Sequence, residues 1–268
     1  MKLRIATYNI HKGVSTLNSM PRIHALKQAL TALEADILFL QEVQGRHDKY
    51  ATKHAALWPE QAQHQFLAGD SHHAVYGMNA VYDHGHHGNA LLSRYPVLSA
   101  TNQDVSDHAF ESRGILHCVV ETPQGQVHCY VIHLGLFARS RRRQIEALIK
   151  AVNMSSPPDA PLIIAGDFND WTNQLSDTLR AQLGVTEVFD RLEPAHGLGA
   201  YLRVLGMRSG PRLTPARTFP AALPCLRLDR IYVRGFEIEG AQVLHGSLWA
   251  RLSDHAPIVA SLGLESQP

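Results

Sequence analysis

Several polar residues in this chain closely follow short apolar runs. Asp167 and Asn169 come after the run 161–164, and Glu42 stands just beyond the run 37–40. Open α/β sheets build their sites past the carboxyl ends of strands, so these side chains are placed where a site would form. The alternative interpretation of Asp167 and Asn169 is an Asx turn, because both residue types often bond their own backbone.

These residue types suit metal-assisted hydrolysis of a phosphoester. That reaction needs neutralised oxygen charge, a water aimed in line with the leaving oxygen, and stabilisation of the oxygen that leaves. Mg²⁺ prefers oxygen ligands and keeps several waters, so one or two carboxylates suffice to hold it. Glu42 is the first candidate ligand, although a single Glu at a strand end is usually a solvated residue.

An Asp and a His in the last quarter of the chain could act together. Asp229 shares a strand face with Ile231 by period-two alternation, so it faces a core and needs a partner. His255 follows Ser253-Asp254, and a carboxylate beside an imidazole fixes its tautomer and stabilises the imidazolium. We therefore predict an Asp229–His255 pair. The chain has 17 histidines, and most of them must be structural.

Strand and helix signals alternate along the chain, with the candidate residues at strand ends. Residues 23–33 and 145–152 carry apolar side chains at helical spacing, which predicts two amphipathic helices. The predicted strands cover 3–10, 36–40, 90–93, 114–121, 127–133, 161–165 and 226–233. Turn chemistry at 122–125 predicts a hairpin between the fourth and fifth strands. The polar, His-rich residues 44–87 are predicted to be mostly loop and short helix.

Length, charge and cysteine content limit the class of protein. The 268 residues are 45% hydrophobic, and we predict one domain over 1–264 with a frayed tail at 265–268. A net charge of +1 provides no whole-molecule field for a nucleic acid or a membrane. Three cysteines without C-x-x-C spacing argue against disulfides or structural zinc and fit a reducing compartment. With no secretion signal or spanning run in view, we expect a soluble, cytoplasmic monomer without a protein partner.

Seven short motifs occur in a characteristic order. They are Tyr8-Asn9, Gln41-Glu42, Gly88-Asn89-Ala90-Leu91-Leu92-Ser93, His133-Leu134, Gly166-Asp167-Phe168-Asn169, Leu228-Asp229-Arg230 and Ser253-Asp254-His255. In type, order and spacing the set resembles the endonuclease/exonuclease/phosphatase superfamily, and it looks closest to the bacterial YbhP-like branch. The resemblance implies an α/β, DNase I-like fold, a four-layer α-β-β-α sandwich of two packed mixed β-sheets. It also implies a phosphoester hydrolase, since the superfamily includes nucleases, sphingomyelinases and inositol polyphosphate phosphatases.

The resemblance also implies roles for residues that match these motifs. Glu42 would hold Mg²⁺, with Mn²⁺ as a substitute, and Asn9 and Asp254 would lie in or near the metal's shell. Asp167 would orient or deprotonate the attacking water. His255 would contact a phosphoryl oxygen or act as the base itself.

The remaining residues would bind substrate or support the reaction. Asp229 would hold His255, and Asn169 would bind a phosphate oxygen. His133 would stabilise the phosphate or assist the leaving group. The other predicted substrate-binding residues are His11, Asn89, Arg113, Arg141 and Arg217.

Two basic stretches bear on the substrate. Residues 194–228 contain no Asp, Glu or Lys but carry Arg203, Arg208, Arg212, Arg217 and Arg227 among apolar residues. Such a segment could hold phosphates or could be an ordinary solvated loop. Residues 139–143 hold four arginines at a predicted helix start, where cations oppose the helix dipole and a phosphate partner or a structural role would explain them.

Three functions follow from these observations. The leading one is a Mg²⁺-dependent phosphodiesterase that uses an activated water on nucleic acid. The second is a phosphodiesterase or phosphatase for a phospholipid headgroup or a small phosphate ester. The third is a binding scaffold with a degenerate site, which the retention of each polar residue type disfavours.

Overall fold

The computed structural model describes residues 1–15, 19–108, 111–190 and 216–264. Two six-stranded mixed sheets pack face to face with helices on their outer faces, the predicted α-β-β-α sandwich. The strands are β1 (Lys2–Asn9), β2 (Ile37–His47), β3 (His73–Tyr82), β4 (Gly85–Ser93), β5 (Val97–Asp104), β6 (Gly114–Thr122), β7 (Gly125–His133), β8 (Leu162–Asp167), β9 (Thr186–Glu187), β10 (Asp229–Arg234), β11 (Phe236–Val243) and β12 (Ile258–Leu264). The helices are α1 (Ile23–Ala32), α2 (Asp48–Lys53), α3 (Gln63–Ala68), α4 (Ala138–Ser155), α5 (Ser176–Leu183) and α6 (Ser247–Leu252).

Each sheet contains one parallel strand pair that carries candidate site residues. The first sheet has the order β11-β12-β1-β2-β4-β3 and the second has the order β5-β6-β7-β8-β10-β9. Strands β1 and β2 are parallel, as are β7 and β8, so their carboxyl ends lie at the same edge. Strand β10 is antiparallel to β8 and begins where β8 ends. We call this edge of the two sheets the site edge.

Alternating side chains on the strands build three apolar layers. Residues such as Phe39, Val131 and Ile231 fill the space between the two sheets. Helices α1, α3 and α6 cover the outer face of the first sheet, and α4 and α5 cover that of the second. Strand β8 is buried throughout, which explains why its sequence is a continuous apolar run. Burying each large apolar side chain stabilises the fold by about 1.5–3 kcal/mol.

The prediction of loop and short helix for residues 44–87 is wrong in large part. Strand β2 continues to His47, β3 occupies His73–Tyr82, and β4 begins at Gly85. The sequence pattern of a strand is weak here because β3 lies at a sheet edge and is mostly half-exposed, so polar and histidine side chains are tolerated along it. Strand β5, also an edge strand, is exposed along almost all of its length and was not predicted either. The hairpin β6–β7 and the two amphipathic helices are confirmed.

Some predictions fall on parts of the chain that the structure does not describe. The tail 265–268 and the arginines Arg203, Arg208 and Arg212 lie outside the described residues. In the described part, no helix combines the length and the apolar character needed to cross a membrane.

Candidate active site

The strands deliver polar side chains to one place on the site edge. Asn9 at the end of β1 lies beside Gln41 of β2. His133 at the end of β7 lies beside Asp167 at the end of β8. Asp229 at the start of β10 lies opposite Asp167. Since the two sheets pack face to face, residues that are distant in the sequence meet here.

Three buried residues form the first group, which we call the closed cluster. His255 Nδ1 lies 2.8 Å from Asp229 Oδ2, so the pair predicted from the sequence is in contact. His255 Nε2 lies 3.7 Å from Asp167 Oδ2. All three side chains are almost inaccessible, with Asp229 only 1% exposed. A charged pair buried this deeply is held in one geometry.

Burial and mutual attraction change the acidity of the closed cluster. Burial alone would lower the pKa of His255, but Asp229 and Asp167 outweigh it and raise that pKa to about 10. Burial raises the pKa of Asp167 to about 6, with Asp229 adding to the rise and His255 opposing it. At neutral pH, His255 is therefore an imidazolium held between carboxyl groups.

His133 is a second buried imidazole, and it differs from His255 in charge. Its Nε2 lies 3.5 Å from Asp167 Oδ2. Burial and the Arg113 guanidinium hold the pKa of His133 well below its usual range. His133 is therefore neutral at physiological pH, a state in which an imidazole donates one hydrogen bond and accepts another.

Glu42 occupies an irregular position in β2. The pairing of β2 with β4 shifts register between Leu40 and Val43, and Glu42 lies in the left-handed region with φ of 54°. A non-glycine residue rarely adopts this conformation without a local reason. The bulge turns the carboxylate out of the regular strand pattern and places it at the site edge. Glu42 Oε2 is inaccessible to solvent and has no hydrogen-bond partner.

Glu42, Asp254, His11 and Lys12 form the second group, which we call the open cluster. Lys12 Nζ lies 3.5 Å from Glu42 Oε2, and His11 Nδ1 lies 3.4 Å from Asp254 Oδ1. These side chains are between 18% and 38% exposed, unlike those of the closed cluster. Burial alone would raise the pKa of Glu42, but neighbouring cationic and imidazole groups lower it to about 2. The Glu42 carboxylate is therefore ionised at any physiological pH.

Asn9 joins the two clusters. Its Nδ2 lies 3.5 Å from Glu42 Oε1 and donates to Asp167 Oδ2 at 3.2 Å. The Asn9 carbonyl oxygen accepts a hydrogen bond from Ser253 Oγ, which anchors the segment that carries Asp254. One amide side chain thus fixes the spacing between the two carboxylates.

The turn after β8 is built by backbone constraints. Gly166 has φ of 152°, and a Cβ there would lie 1.9 Å from the Ile132 carbonyl oxygen, so only glycine fits. The Asn169 backbone N–H donates to Asp167 Oδ1 at 3.0 Å, which is the Asx turn considered from the sequence. The Asn169 side chain donates from Nδ2 to the Leu134 carbonyl oxygen. Turn and site are compatible here, because Asp167 Oδ2 still points at the two histidines.

The other predicted substrate-binding residues differ in their placement. His11 belongs to the open cluster, and Arg113 lies near His133 with its Nε donating to the Leu134 carbonyl oxygen. Asn89 is 1% exposed, and its Nδ2 donates to the Gly114 carbonyl oxygen on the other sheet. Arg217 is exposed, without a contact to the clusters.

Arg141 has a structural environment in this fold. It is 4% exposed, and its guanidinium donates to the carbonyl oxygens of Gly135 and Leu136. The guanidinium also lies 5.0 Å over the Trp171 ring. These contacts favour the structural alternative for Arg141 over the substrate-binding one.

Lys12 and His87 are site neighbours that sequence reasoning missed as candidates. Both influence the acidity of Glu42, and burial and the charge of Lys12 lower the pKa of His87 to about 4. The tripeptide His11-Lys12-Gly13 was visible in the sequence, but His11 and Lys12 reach Glu42 through positive φ angles of 46° and 57°. Left-handed backbone at non-glycine residues carries no reliable sequence signal.

Both clusters could in principle attract a metal ion. In the closed cluster, one ligand atom from each of Asp167, Asp229 and His255 lies within 4.8 Å of the others. His255 Nδ1 is already occupied by Asp229, and the cluster leaves little room for the waters that Mg²⁺ retains. The open cluster offers a buried carboxylate oxygen without a hydrogen bond beside partly accessible space. The donor set of the open cluster is the better fit to a hard divalent cation.

Two packed mixed sheets, with carboxylates and imidazoles gathered at one edge, define a DNase I-like fold. Residues 6–255 match the model of the Endonuclease/Exonuclease/phosphatase family, and the chain belongs to that family. It is 39% identical to uncharacterized protein YbhP of Escherichia coli K12 over 264 residues, covering 97% of this chain and 96% of the relative. Shigella flexneri has a YbhP with the same identity and coverage.

Solved structures share the fold at low sequence identity. A Bacteroides thetaiotaomicron mannosyl-6-phosphatase superposes with a TM-score of 0.70 at 17% identity, over 97% of this chain and 99% of that protein. Danio rerio TDP2, in complex with a single-strand DNA product, superposes with a TM-score of 0.64 at 20% identity, over 98% and 99% of the two chains. Identities this low support the fold alone.

Proposed function

We propose that this protein is a divalent-metal-dependent phosphoesterase that cleaves a phosphodiester by in-line attack of water. The observation that carries the proposal is the Asn9 amide, which contacts the Glu42 carboxylate and the Asp167 carboxylate together. A metal-binding acid and a proton-accepting acid are thereby held side by side, as hydrolysis by an activated water requires.

Glu42 is the proposed metal ligand, with Asp254 and Asn9 in or near its shell. Glu42 Oε2 is buried without a hydrogen bond, and this together with the low pKa of Glu42 supports the assignment. The bound cation, Mg²⁺ with Mn²⁺ as a substitute, would supply charge neutralisation for the phosphate oxygens. Lys12 Nζ lies 3.5 Å from Glu42 Oε2 and would be displaced from it by the cation or shared with the substrate.

Asp167 is the proposed general base. Its pKa of about 6 lies near the working pH, where a base is ionised yet still accepts a proton readily. His255 is less suited to this role because Asp229 and Asp167 keep it charged at neutral pH. We therefore assign His255 to electrostatic stabilisation of the phosphoryl oxygens and Asp229 to holding its imidazole.

His133 and Asn169 would contact the phosphate or the leaving oxygen. Because His133 is neutral, it would act as a hydrogen-bond donor and not as a cationic acid. Asn169 Nδ2 donates one N–H to the Leu134 carbonyl oxygen, and its second N–H could donate to a phosphate oxygen. These two residues would orient the ester without taking a proton from water.

The substrate class is narrowed to phosphate esters by the family and by its structural neighbours. One neighbour is a mannosyl-6-phosphatase and another was solved with a single-strand DNA product, so a phosphate ester is common to both. The second supports nucleic acid as a candidate substrate. The arginines Arg203, Arg208 and Arg212, on which that prediction chiefly rested, lie outside the described residues. A phospholipid headgroup is the competing candidate.

Hydrolysis of bis-p-nitrophenyl phosphate by the purified protein tests the proposal. We expect no turnover after EDTA treatment and recovery with Mg²⁺ or Mn²⁺. Asp167→Asn should lower kcat by about a thousandfold, because general-base catalysis contributes about 10²–10⁴. Asp177→Asn, a fully exposed carboxylate on α5, is the matched control and should leave kcat unchanged.

Two results would overturn the proposal. One is a metal-free protein that hydrolyses the diester as fast as the Mg²⁺ form. The other is inactivity on DNA, RNA, phospholipid and the generic diester alike in the presence of Mg²⁺, which would leave the binding scaffold as the remaining function.

A further inference from the structure

Large apolar side chains project into solvent beside the candidate active site. Leu136 is 58% exposed, Phe137 is 64% exposed and Trp171 is 48% exposed. Leu136 and Phe137 follow β7, and Trp171 follows β8, so they lie just past His133 and Asp167. We call these three residues the apolar rim. Exposed apolar groups gathered at one place mark an interaction surface more often than scattered ones do.

Arg141 connects the members of the apolar rim. Its guanidinium donates to the Leu136 carbonyl oxygen at 2.5 Å and stacks over the Trp171 ring at 5.0 Å. Arg141 is itself 4% exposed and belongs to the first turns of α4. The loops after β7 and β8 thus both contact one buried cation, Arg141, which holds the residues of the apolar rim in fixed positions.

Exposed cations flank the apolar rim. Arg139 and Arg142 lie next to Phe137 at the start of α4, and both point into solvent. Neither forms an ion pair with any residue in the described ranges. Arg143 does pair with Asp107, so the two unpaired arginines are the ones available to a partner. Cations at a helix start oppose the helix dipole, so these two arginines gain no stabilisation from it.

A fourth exposed apolar residue belongs to a turn that contacts the segment of Asp254 and His255. Leu223 is 80% exposed. It belongs to the turn in which the Ala221 N–H donates to the Asp254 carbonyl oxygen at 2.7 Å. In the same turn, the Phe219 ring lies 5.0 Å from the His255 ring. Apolar side chains therefore border both the Asp167 side and the His255 side of the site.

The composition of this surface distinguishes between partners. Single-stranded nucleic acid is held by cations and by aromatic rings on which bases stack, and aliphatic side chains such as Leu136 and Leu223 add little to that. Insertion into the boundary between headgroups and acyl chains uses Leu, Phe and Trp together, with Arg drawn to anionic headgroups.

We propose that the apolar rim, with Arg139, Arg142 and Leu223, docks this protein onto an anionic phospholipid surface with the active site facing the headgroups. If the docked protein also hydrolyses a headgroup phosphodiester, that step rests on the proposed function. The docking itself does not, because it requires no catalysis.

Vesicle sedimentation tests the docking directly. The probe is a vesicle of equimolar phosphatidylcholine and phosphatidylglycerol, compared with pure phosphatidylcholine, and the protein is the full chain without added substrate. We expect a larger fraction of the protein to sediment with the anionic vesicle than with the pure phosphatidylcholine vesicle. The double variant Leu136→Ser/Phe137→Ser should weaken binding at least about tenfold, because two apolar side chains lose their burial.

Matched controls come from the end of the second sheet and its covering helix that lies opposite the site edge. Leu98 at the start of β5 and Met154 at the end of α4 are 52% and 75% exposed, so Leu98→Ser/Met154→Ser removes similar exposed apolar area. That double variant should bind vesicles like the wild type. For charge, Arg139→Gln should weaken binding about fivefold, whereas Lys150→Gln, at the other end of α4, should not.

A second readout separates docking from catalysis. Hydrolysis of soluble bis-p-nitrophenyl phosphate should be equal in the wild type and in Leu136→Ser/Phe137→Ser, which also shows that the variant is folded. Failure to bind anionic vesicles, or equal losses in the rim and control variants, would overturn the docking proposal whatever the diester assay shows. Loss of binding to a labelled DNA single strand in the rim variant, without vesicle binding, would assign the surface to nucleic acid instead.

Discussion

The closed cluster and the open cluster lie on either side of Asn9, yet they are built in opposite ways. The closed cluster has almost no solvent exposure, and its His255–Asp229 contact is a short charge-assisted hydrogen bond. The open cluster is partly exposed, with a strained Glu42 backbone and a carboxylate oxygen that lacks a hydrogen bond. The open cluster also contains Lys12, a cation near its acid.

The difference indicates a division of labour between the clusters. A closed, hydrogen-bonded group is preorganised to move or hold a proton without rearrangement. An open, under-coordinated acid is suited to an ion that arrives with its own waters. We therefore place proton transfer in the closed cluster and cation binding in the open one. Asp229 Oδ1 in the closed cluster also lacks a hydrogen bond, so the two clusters differ in solvent exposure and not in the presence of such an oxygen.

Breaking the closed cluster should have the largest effect. His255→Ala should lower kcat by about a thousandfold, and Asp229→Asn by a smaller factor, because each removes part of one charged unit that stabilises the phosphoryl oxygens. The double variant should be little slower than His255→Ala alone. Steady-state kinetics on the generic diester at saturating Mg²⁺ measures this, and losses that multiply would show that the two residues act separately.

The sequence indicated much of the closed cluster but only part of the open one. Asp229 and His255 could be predicted because Asp229 begins an apolar strand, His255 precedes another, and an acid and an imidazole are complementary. The register shift at Glu42 and the left-handed backbone of His11 and Lys12 come from tertiary pairing of β2 with β4, which local sequence does not encode.

The same contrast applies to the fold. Strand β8 and helix α1 have strong apolar patterns and were predicted within a few residues. Strands β3 and β5 were not predicted, because partly or largely exposed edge strands show no alternation of apolar and polar residues. Arg141 was predicted at a functional position, but its stack on Trp171 depends on two loops that meet only in the folded chain.

The charge on His255 predicts a pH-dependent contribution to stability. Its pKa rises from 6.5 in the unfolded chain to about 10 in the fold, so the protonated ring favours the folded state. That contribution is complete below pH 6.5 and is lost as the pH rises toward 10. We expect wild type to exceed His255→Gln in unfolding free energy by on the order of a few kcal/mol at the lower pH, with the gap closing at the higher.

Urea unfolding of both proteins at a series of pH values measures this gap. His24→Gln, on helix α1 away from the clusters, is the control and should show no such trend. A gap between wild type and His255→Gln that stays constant, or widens, as the pH rises would mean that His255 is not held as an imidazolium.

Removing the Lys12 ammonium from the open cluster should have a smaller effect, and it should favour metal binding instead of weakening activity. Lys12 Nζ lies 3.5 Å from Glu42 Oε2 and competes with a divalent ion for that carboxylate. Lys12→Gln should lower the Mg²⁺ concentration at half-maximal activity severalfold, in line with about 1 kcal/mol for a partly exposed ion pair. Lys53→Gln, on α2, should not change it. A higher Mg²⁺ requirement in Lys12→Gln would show that Lys12 assists metal binding.

Direct measurement of Mn²⁺ binding tests the division of labour most simply, since it needs no substrate. Titration of the metal-free protein, followed by calorimetry or by the electron paramagnetic resonance of free Mn²⁺, should be compared for wild type, Glu42→Gln and Asp229→Asn. We predict that Glu42→Gln weakens Mn²⁺ binding at least about tenfold, because a charged ligand is lost, while Asp229→Asn binds within about twofold of wild type. Unchanged binding by Glu42→Gln together with lost binding by Asp229→Asn would place the metal in the closed cluster and contradict the account.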